Sequence, residues 1–264
     1  MTDEQLPARV FSNRFPEAAD SHPGVLQDHC RCFDQVRVNS PGARTSFHAE
    51  IQDTSAPGWL RLLELVEEAA ADGREEFRPL PEMRPEERRQ IVTLPASIGR
   101  LTAVRSLVLY GSNLVRIPPE IGDMTSLEQF SPYRSGRLHW FPYELTRCAR
   151  LANSTVSTRS IYGNYKYRAP FRRLLPPGDT VLDLGSLDPV RWGATAAHTC
   201  SVCAGPISAT GPHQAWISLL VATDVLPLLV NACSQACLDT LPPGAEGYIP
   251  TPHRGGAVKQ PPPR

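Results

Sequence analysis

The 264-residue chain has no net charge, because Lys plus Arg and Asp plus Glu each number 27. A balanced chain sets up no global field toward nucleic acid or an anionic membrane, so an electrostatic partner must be met by a local patch. It also lacks an uninterrupted apolar run. The most apolar stretch, "AWISLLVATDVLPLLVNAC" from Ala215 to Cys233, is broken by Asp224 and Pro227. It falls short of the roughly 20 apolar residues of a membrane helix and reads as buried strands. The opening "MTDEQLPARVF" is acidic where a secretory leader needs a basic start and an apolar run, so a cytoplasmic protein with no membrane partner is expected. Seven cysteines are an odd number; in a reducing compartment, closely spaced pairs point to metal binding rather than to a disulfide framework. Catalytic signatures are missing too: G-x-S-x-G, H-E-x-x-H, the phosphate-binding G-x-x-x-x-G-K and the dinucleotide G-x-G-x-x-G. The expectation is a protein that is not an enzyme.

Proline, in contrast, is abundant at 27 residues, against roughly 5% in average proteins. It gathers toward the ends. Residues 1–55 show no sustained period of 2 or 3.6, which predicts a disordered arm, and 251–264 read as a disordered tail. The arm carries "DHCRCF", where His29, Cys30 and Cys32 are too few ligands for a closed metal site. Residues 56–92 read as a helical cap. In "PGWLRLLELVEEAAAD", Pro57 to Asp72, the residues Trp59, Leu62, Leu63, Val66, Ala69 and Ala70 recur at helical spacing, and Gly73 supplies a stop. A short second helix is predicted at "RPEERRQ", with Pro85 at its first position and Glu86 and Glu87 in its first turn.

Residues 93–175 contain an internal repeat. "LPASIGRLTAVRSLVLYGSNLVR" from Leu94 is followed by "IPPEIGDMTSLEQFSPYRSGRLHW" from Ile117 and "FPYELTRCARLANSTVSTRSIYG" from Phe141, a period of 23 and then 24. Corresponding apolar positions are Leu94, Ile117 and Phe141; Ile98, Ile121 and Leu145; Leu101, Met124 and Cys148; and Val104, Leu127 and Leu151. This register makes Cys148 a core residue rather than a nucleophile.

The segment "VRSLVLYGSNL" resembles the leucine-rich repeat core L-x-x-L-x-L-x-x-N-x-L, with Val104, Leu107, Leu109 and Leu114 in place and Ser112 where the family has asparagine. The later copies depart further, and the third has Arg159 at that position. The resemblance implies an α/β fold, a short leucine-rich repeat solenoid with a helical N-terminal cap; the cysteine pairs beyond the repeats set apart a small C-terminal zinc-binding α+β domain. The resemblance also implies a solvent-facing sheet whose partner-binding candidates are Arg105, Ser106, Tyr110, Glu128, Gln129, Tyr133, Asn153 and Thr155. Such repeat surfaces are interaction surfaces, so a protein partner is expected, of unknown identity.

Residues 176–250 hold the most specific chemical feature. Cys200 and Cys203 form a C-x2-C pair, and after twenty-nine intervening residues Cys233 and Cys237 form a C-x3-C pair. Four thiolates complete a tetrahedral zinc shell, leaving His198, His213 and His253 as surface histidines. A knuckle, intervening strands and ligands at a helix start resemble a treble-clef zinc finger. Two other readings compete. "RSIYGNYKYRAPFRR", Arg159 to Arg173, interleaves basic and aromatic residues as a nucleic-acid surface does, although zero net charge makes nucleic acid the lesser expectation. An enzyme would need a reactive cysteine outside the zinc site.

Overall fold

The computed structural model describes residues 48, 50–174, 199–208 and 211–262. The chain is a mixed α/β fold with a parallel sheet and few helices. Helix α1, Pro57–Asp72, begins with proline at its first turn and ends at Gly73, whose φ of 67° is a left-handed cap suited to a residue without Cβ. It buries Trp59, Leu62, Leu65, Val66 and Ala69 and leaves Glu67 and Glu68 in solvent. Helix α2, Pro85–Arg89, packs against it.

Among the described residues there are seven strands: β1 Glu76–Phe77, β2 Ser106–Val108, β3 Gln129–Ser131, β4 Phe141–Pro142, β5 Asn153–Ser154, β6 His213–Val221 and β7 Asp224–Ala232. β1, β2, β3 and β5 form a parallel sheet in that order. Ser106 is opposite Gln129, and Gln129 is opposite Asn153, so the strand register reproduces the 23 and 24 spacing of the sequence. Each unit also contributes one tight helical turn, at Ala96–Arg100, Pro119–Asp123 and Tyr143–Arg147. Strands of two or three residues cannot cover their own apolar sides, so adjacent units cover one another. Leu94, Ile117 and Phe141, then Ile98, Ile121 and Leu145, then Leu101, Met124 and Cys148, are buried in columns, with Val104 and Leu127 beside them and Leu151 half-buried.

Glycine marks where one unit presses on the next. A Cβ on Gly99 would lie 3.0 Å from the Glu120 carbonyl, and one on Gly122 would lie 2.6 Å from that of Glu144. The third unit has Thr146 at the same place, exposed, and among the described residues no fourth turn stacks on it.

β4 belongs to the third unit yet pairs with β7, Phe141 opposite Leu228, and β7 forms a long antiparallel hairpin with β6. The core therefore runs unbroken from Ala56 through the repeat columns to Cys200, Ile217 and Val230. The hairpin turn closes the open edge of the parallel sheet: the Ser154 N–H donates to Thr223 Oγ1 at 3.1 Å, and that hydroxyl donates back to the Ser154 carbonyl at 2.7 Å. A second cluster collects Trp140, Tyr162, Phe171, Leu174, Trp216, Leu229 and Ile249.

Two stretches that composition marks as disordered contribute packing. His253 exchanges backbone hydrogen bonds with Trp216 at 2.7 and 3.0 Å and stands edge-on to Phe171 with ring centroids 4.6 Å apart. It is not a surface histidine: burial lowers its pKa to about 4. Arg168 donates to the Gly247 and Pro262 carbonyls, which ties down residues near the end of the chain. At the other end, Gln52 accepts from the Val92 N–H and donates to the Gln90 carbonyl, while Arg116 donates to the carbonyls of Glu50 and His48. Backbone groups, rather than an amphipathic face, hold this strap. The "DHCRCF" cysteines lie outside the described residues. No helix among the described residues is long and apolar enough to cross a membrane.

Candidate functional site

Thr199 and Pro206 form an isolated β-bridge. The loop between them is closed by the Cys200 N–H to the Gly205 carbonyl at 2.7 Å and the Ala204 N–H to the Cys200 carbonyl at 3.0 Å. Inside it the N–H groups of Val202 and Cys203 approach Cys200 Sγ at 3.4 and 3.5 Å, and the Gly205 N–H approaches Cys203 Sγ at 3.4 Å. Amide donors aimed at sulfur favour the thiolate. Cys233 follows β7, and Cys237 lies in the first turn of helix α3, Gln235–Asp239, where its N–H donates to the N-cap Ser234 hydroxyl at 3.3 Å.

All four Sγ atoms lie within 4.8 Å of one another. Cys203 and Cys233 are 3.7 Å apart, and Cys233 and Cys237 are 3.6 Å apart. A disulfide would need about 2.05 Å, whereas tetrahedral ligation with bonds of about 2.3 Å puts sulfurs about 3.8 Å apart. The cluster has the spacing of a metal site. Its electrostatics agree. Burial opposes ionisation of Cys200, but the N–H groups of Cys203, Cys233 and Val202 outweigh it and bring the thiol to about 7. Cys237 is pushed up to about 12, first by the neighbouring Cys233 sulfur and further by Cys203. Thiols this close resist ionising together unless a cation offsets the charge.

The third unit holds this cluster in place. Arg147 donates to the Cys200 and Ser201 carbonyls at 3.2 and 3.1 Å. Ser201 is paired with Asn231 of β7 through the Ser201 N–H at 2.8 Å and the Ser201 hydroxyl at 2.9 Å. Buried Glu144 is raised in pKa by desolvation, partly offset by a hydrogen bond from Ser201. Cys148 is also buried, its thiol 3.2 Å from the Ile121 carbonyl and pushed up to about 11 by desolvation.

On the parallel sheet, Arg105, Ser106, Val108 and Tyr110, then Glu128, Gln129, Ser131 and Tyr133, then Ala152, Asn153, Thr155 and Ser157 all reach solvent. Leu107, Leu109, Phe130, Pro132, Ser154 and Val156 alternate with them and are buried. Arg105, Ser106, Glu128, Gln129 and Asn153 gather around one shallow depression, joined by Glu75 and Glu76. Arg105 grips Glu128 with two hydrogen bonds of 3.0 and 2.9 Å, and that guanidinium holds the Glu128 carboxyl below its usual range. Tyr110 and Tyr133 meet with centroids 5.9 Å apart, Tyr133 being 42% exposed. Thr155 is exposed on the last strand.

In the 159–173 stretch Arg159, Lys166 and Arg173 reach solvent with Tyr165 and Tyr167, whereas Arg168 is buried and its guanidinium is spent on main-chain carbonyls.

Two rows of polar residues escape an apolar template. Ser112 and Ser135, 23 apart, join hydroxyls at 2.6 Å inside the turns after β2 and β3, and Ser135 also donates to the Leu109 carbonyl. Thr93, Arg116, His139 and Tyr162 share that 23-residue interval and are all buried. The period itself was the signal for both rows.

No protein-family model matches the chain, and no curated protein matches it.

Proposed function

We propose that this chain is a non-catalytic protein-binding module: a short leucine-rich-repeat-like stack that presents its parallel sheet to a protein partner, closed at its C-terminal end by a treble-clef-like zinc unit. The observation that carries the reading is the alternation across the sheet, which keeps twelve polar, aromatic and small side chains in solvent over a buried layer that is apolar except for Ser154. Arg105 is shared between Glu128 and Glu75, and with Glu76 beside them the charged end of the face keeps an excess of carboxylate. Tyr110 and Tyr133 offer a large, stiff contact area of the kind enriched at interfaces.

Zinc is the metal this reading assigns to Cys200, Cys203, Cys233 and Cys237, since four thiolates near tetrahedral spacing suit it best. With four protein ligands the shell has no position for a reacting water, which makes the site structural. A reducing compartment, the cytoplasm, belongs to the same proposal, because thiolate ligands must stay reduced.

The test is affinity purification from the native cell with wild type and a Tyr110→Ala, Tyr133→Ala double variant. Selective loss of partners from the variant supports the face; equal recovery removes it as the binding surface. Capture of nucleic acid that weakens steeply with salt would instead favour the exposed Tyr165, Lys166 and Tyr167.

A further inference from the structure

Helix α3, the start of β6 and residues 250–254 enclose a groove of about 530 Å³ that opens to solvent along one side. Its walls are chiefly Leu238, Leu241 and four prolines. A concave apolar surface of this size with a few placed polar groups is the usual make-up of a ligand site. Two polar side chains that line it, Gln214 and His253, each carry a buried atom with no hydrogen-bond partner among the described residues: Gln214 Oε1 and His253 Nε2. Gln214 is only 3% exposed. Buried polar atoms are almost always paired, because an orphaned one keeps the full cost of leaving water.

The neighbours of each side chain fix what it offers. The Gly255 N–H donates to His253 Nδ1 at 3.0 Å, so that nitrogen keeps its lone pair and the ring proton sits on Nε2. Burial, which lowers the His253 pKa to about 4, keeps the ring neutral at neutral pH. Nε2 is therefore a donor. Gln214 spends its Nε2 on Asn231 Oδ1 at 2.8 Å, which leaves Oε1 as an acceptor. His253 is bridged to Trp216, two residues along β6 from Gln214, so both side chains stand on one face as diagonal neighbours. Neither satisfies the other.

A donor and an acceptor held apart on one groove are complementary to a peptide unit. The planar trans amide carries a carbonyl that accepts and an N–H that donates, pointing opposite ways. Leucine and proline walls give an apolar side chain beside that amide a surface to cover. Exposed Asp239 and Arg254, one of each sign, also line the groove, so it sets no preference for a charged ligand.

We propose that this groove binds an extended, uncharged peptide segment with an apolar side chain, His253 donating to a backbone carbonyl of the segment and Gln214 accepting from a backbone N–H. The site uses none of the residues of the parallel sheet, so it stands or falls separately from that face.

The test is an NMR titration of the reduced, zinc-loaded full chain with N-acetyl-leucine methylamide, beside N-acetyl-N-methyl-leucine dimethylamide, which has the same carbonyls and no N–H. Saturable shifts of the His253 ring and Gln214 carboxamide signals are expected with the first compound. The second should bind about tenfold more weakly or worse, since it leaves Gln214 unpaired. His253→Phe and Gln214→Met should each weaken the first compound by a similar factor, with the remaining amide spectrum unchanged. Absence of a saturable shift in wild type overturns the proposal, as does equal binding of the two compounds or unchanged affinity in both variants. If a variant does not fold, the two compounds on wild type still decide. Water that holds both atoms and that no peptide unit displaces gives the first of these negative results.

Discussion

The repeat stack and the C-terminal unit share one apolar core, yet their backbones are fixed by different means. In the stack, strands of two or three residues are held by columns of equivalent leucines and isoleucines and by close approach at Gly99 and Gly122. Many similar contacts divide the task. The loop from Thr199 to Ser208 brings little apolar surface, chiefly Cys200 and part of Val202. Its position rests on four sulfurs and on the Arg147 and Asn231 hydrogen bonds. A distributed design degrades by degrees, whereas a clasp is either shut or open.

The largest effect should therefore come from opening the clasp. Cys200→Ser, or strong chelation of wild type, is expected to cost on the order of several kcal/mol, because metal binding is available only to the folded chain. It should split thermal unfolding into an early loss of hairpin structure and a later loss of the stack. A single transition at the unchanged temperature would show that the thiols contribute nothing.

Acid and base should separate the regions next. His253 has a pKa lowered to about 4 by burial, from 6.5, so the unfolded chain binds more protons between those values. Stability contributed there is lost as pH falls through that window, by about 2–3 kcal/mol. Glu120 is raised to about 7 from 4.5 by burial, so the folded chain holds the extra proton and stability falls as pH rises from about 4.5 to 7. Solvent screening reduces this to about 1–2 kcal/mol. Melting curves from pH 4 to 8 should show His253→Gln flattening the acid limb and Glu120→Gln the other. Limbs that the variants leave alone would contradict the assignment.

A smaller change probes the stacking. Gly122→Ala should cost about 1–3 kcal/mol by forcing the Glu144 backbone away, while Thr146→Ala, at the equivalent position of the final unit, should stay within about 0.5 kcal/mol. Equal costs in denaturant titrations would mean that the glycines do not mark unit contacts. Least of all, Arg105→Ala removes an exposed ion pair and should leave the melting temperature where it is.

How much of this was written in the sequence depends on the kind of contact. The 23 and 24 spacing was legible because every unit repeats the same apolar positions, and it returned as the strand register from Ser106 to Gln129 to Asn153. The four cysteines were legible because ligand chemistry demands that residue type. The α1 boundaries followed from Pro57 and Gly73. The strap of His48, Glu50 and Gln52 was not legible, since it binds through carbonyls and single polar atoms that leave no period. The tail around His253 was hidden for a related reason: its prolines and glycines suggest disorder, but backbone pairing with Trp216 needs no apolar pattern. Pairing of β4 with β7 joins residues about ninety apart, and no local preference announces it.

The most direct test of the central claim is the metal content of the reduced chain after dialysis against a weak chelator, in wild type and in Cys237→Ser. One zinc per chain should survive dialysis in wild type and be lost from the variant. Wild-type protein that is folded and carries no tightly held metal would contradict it.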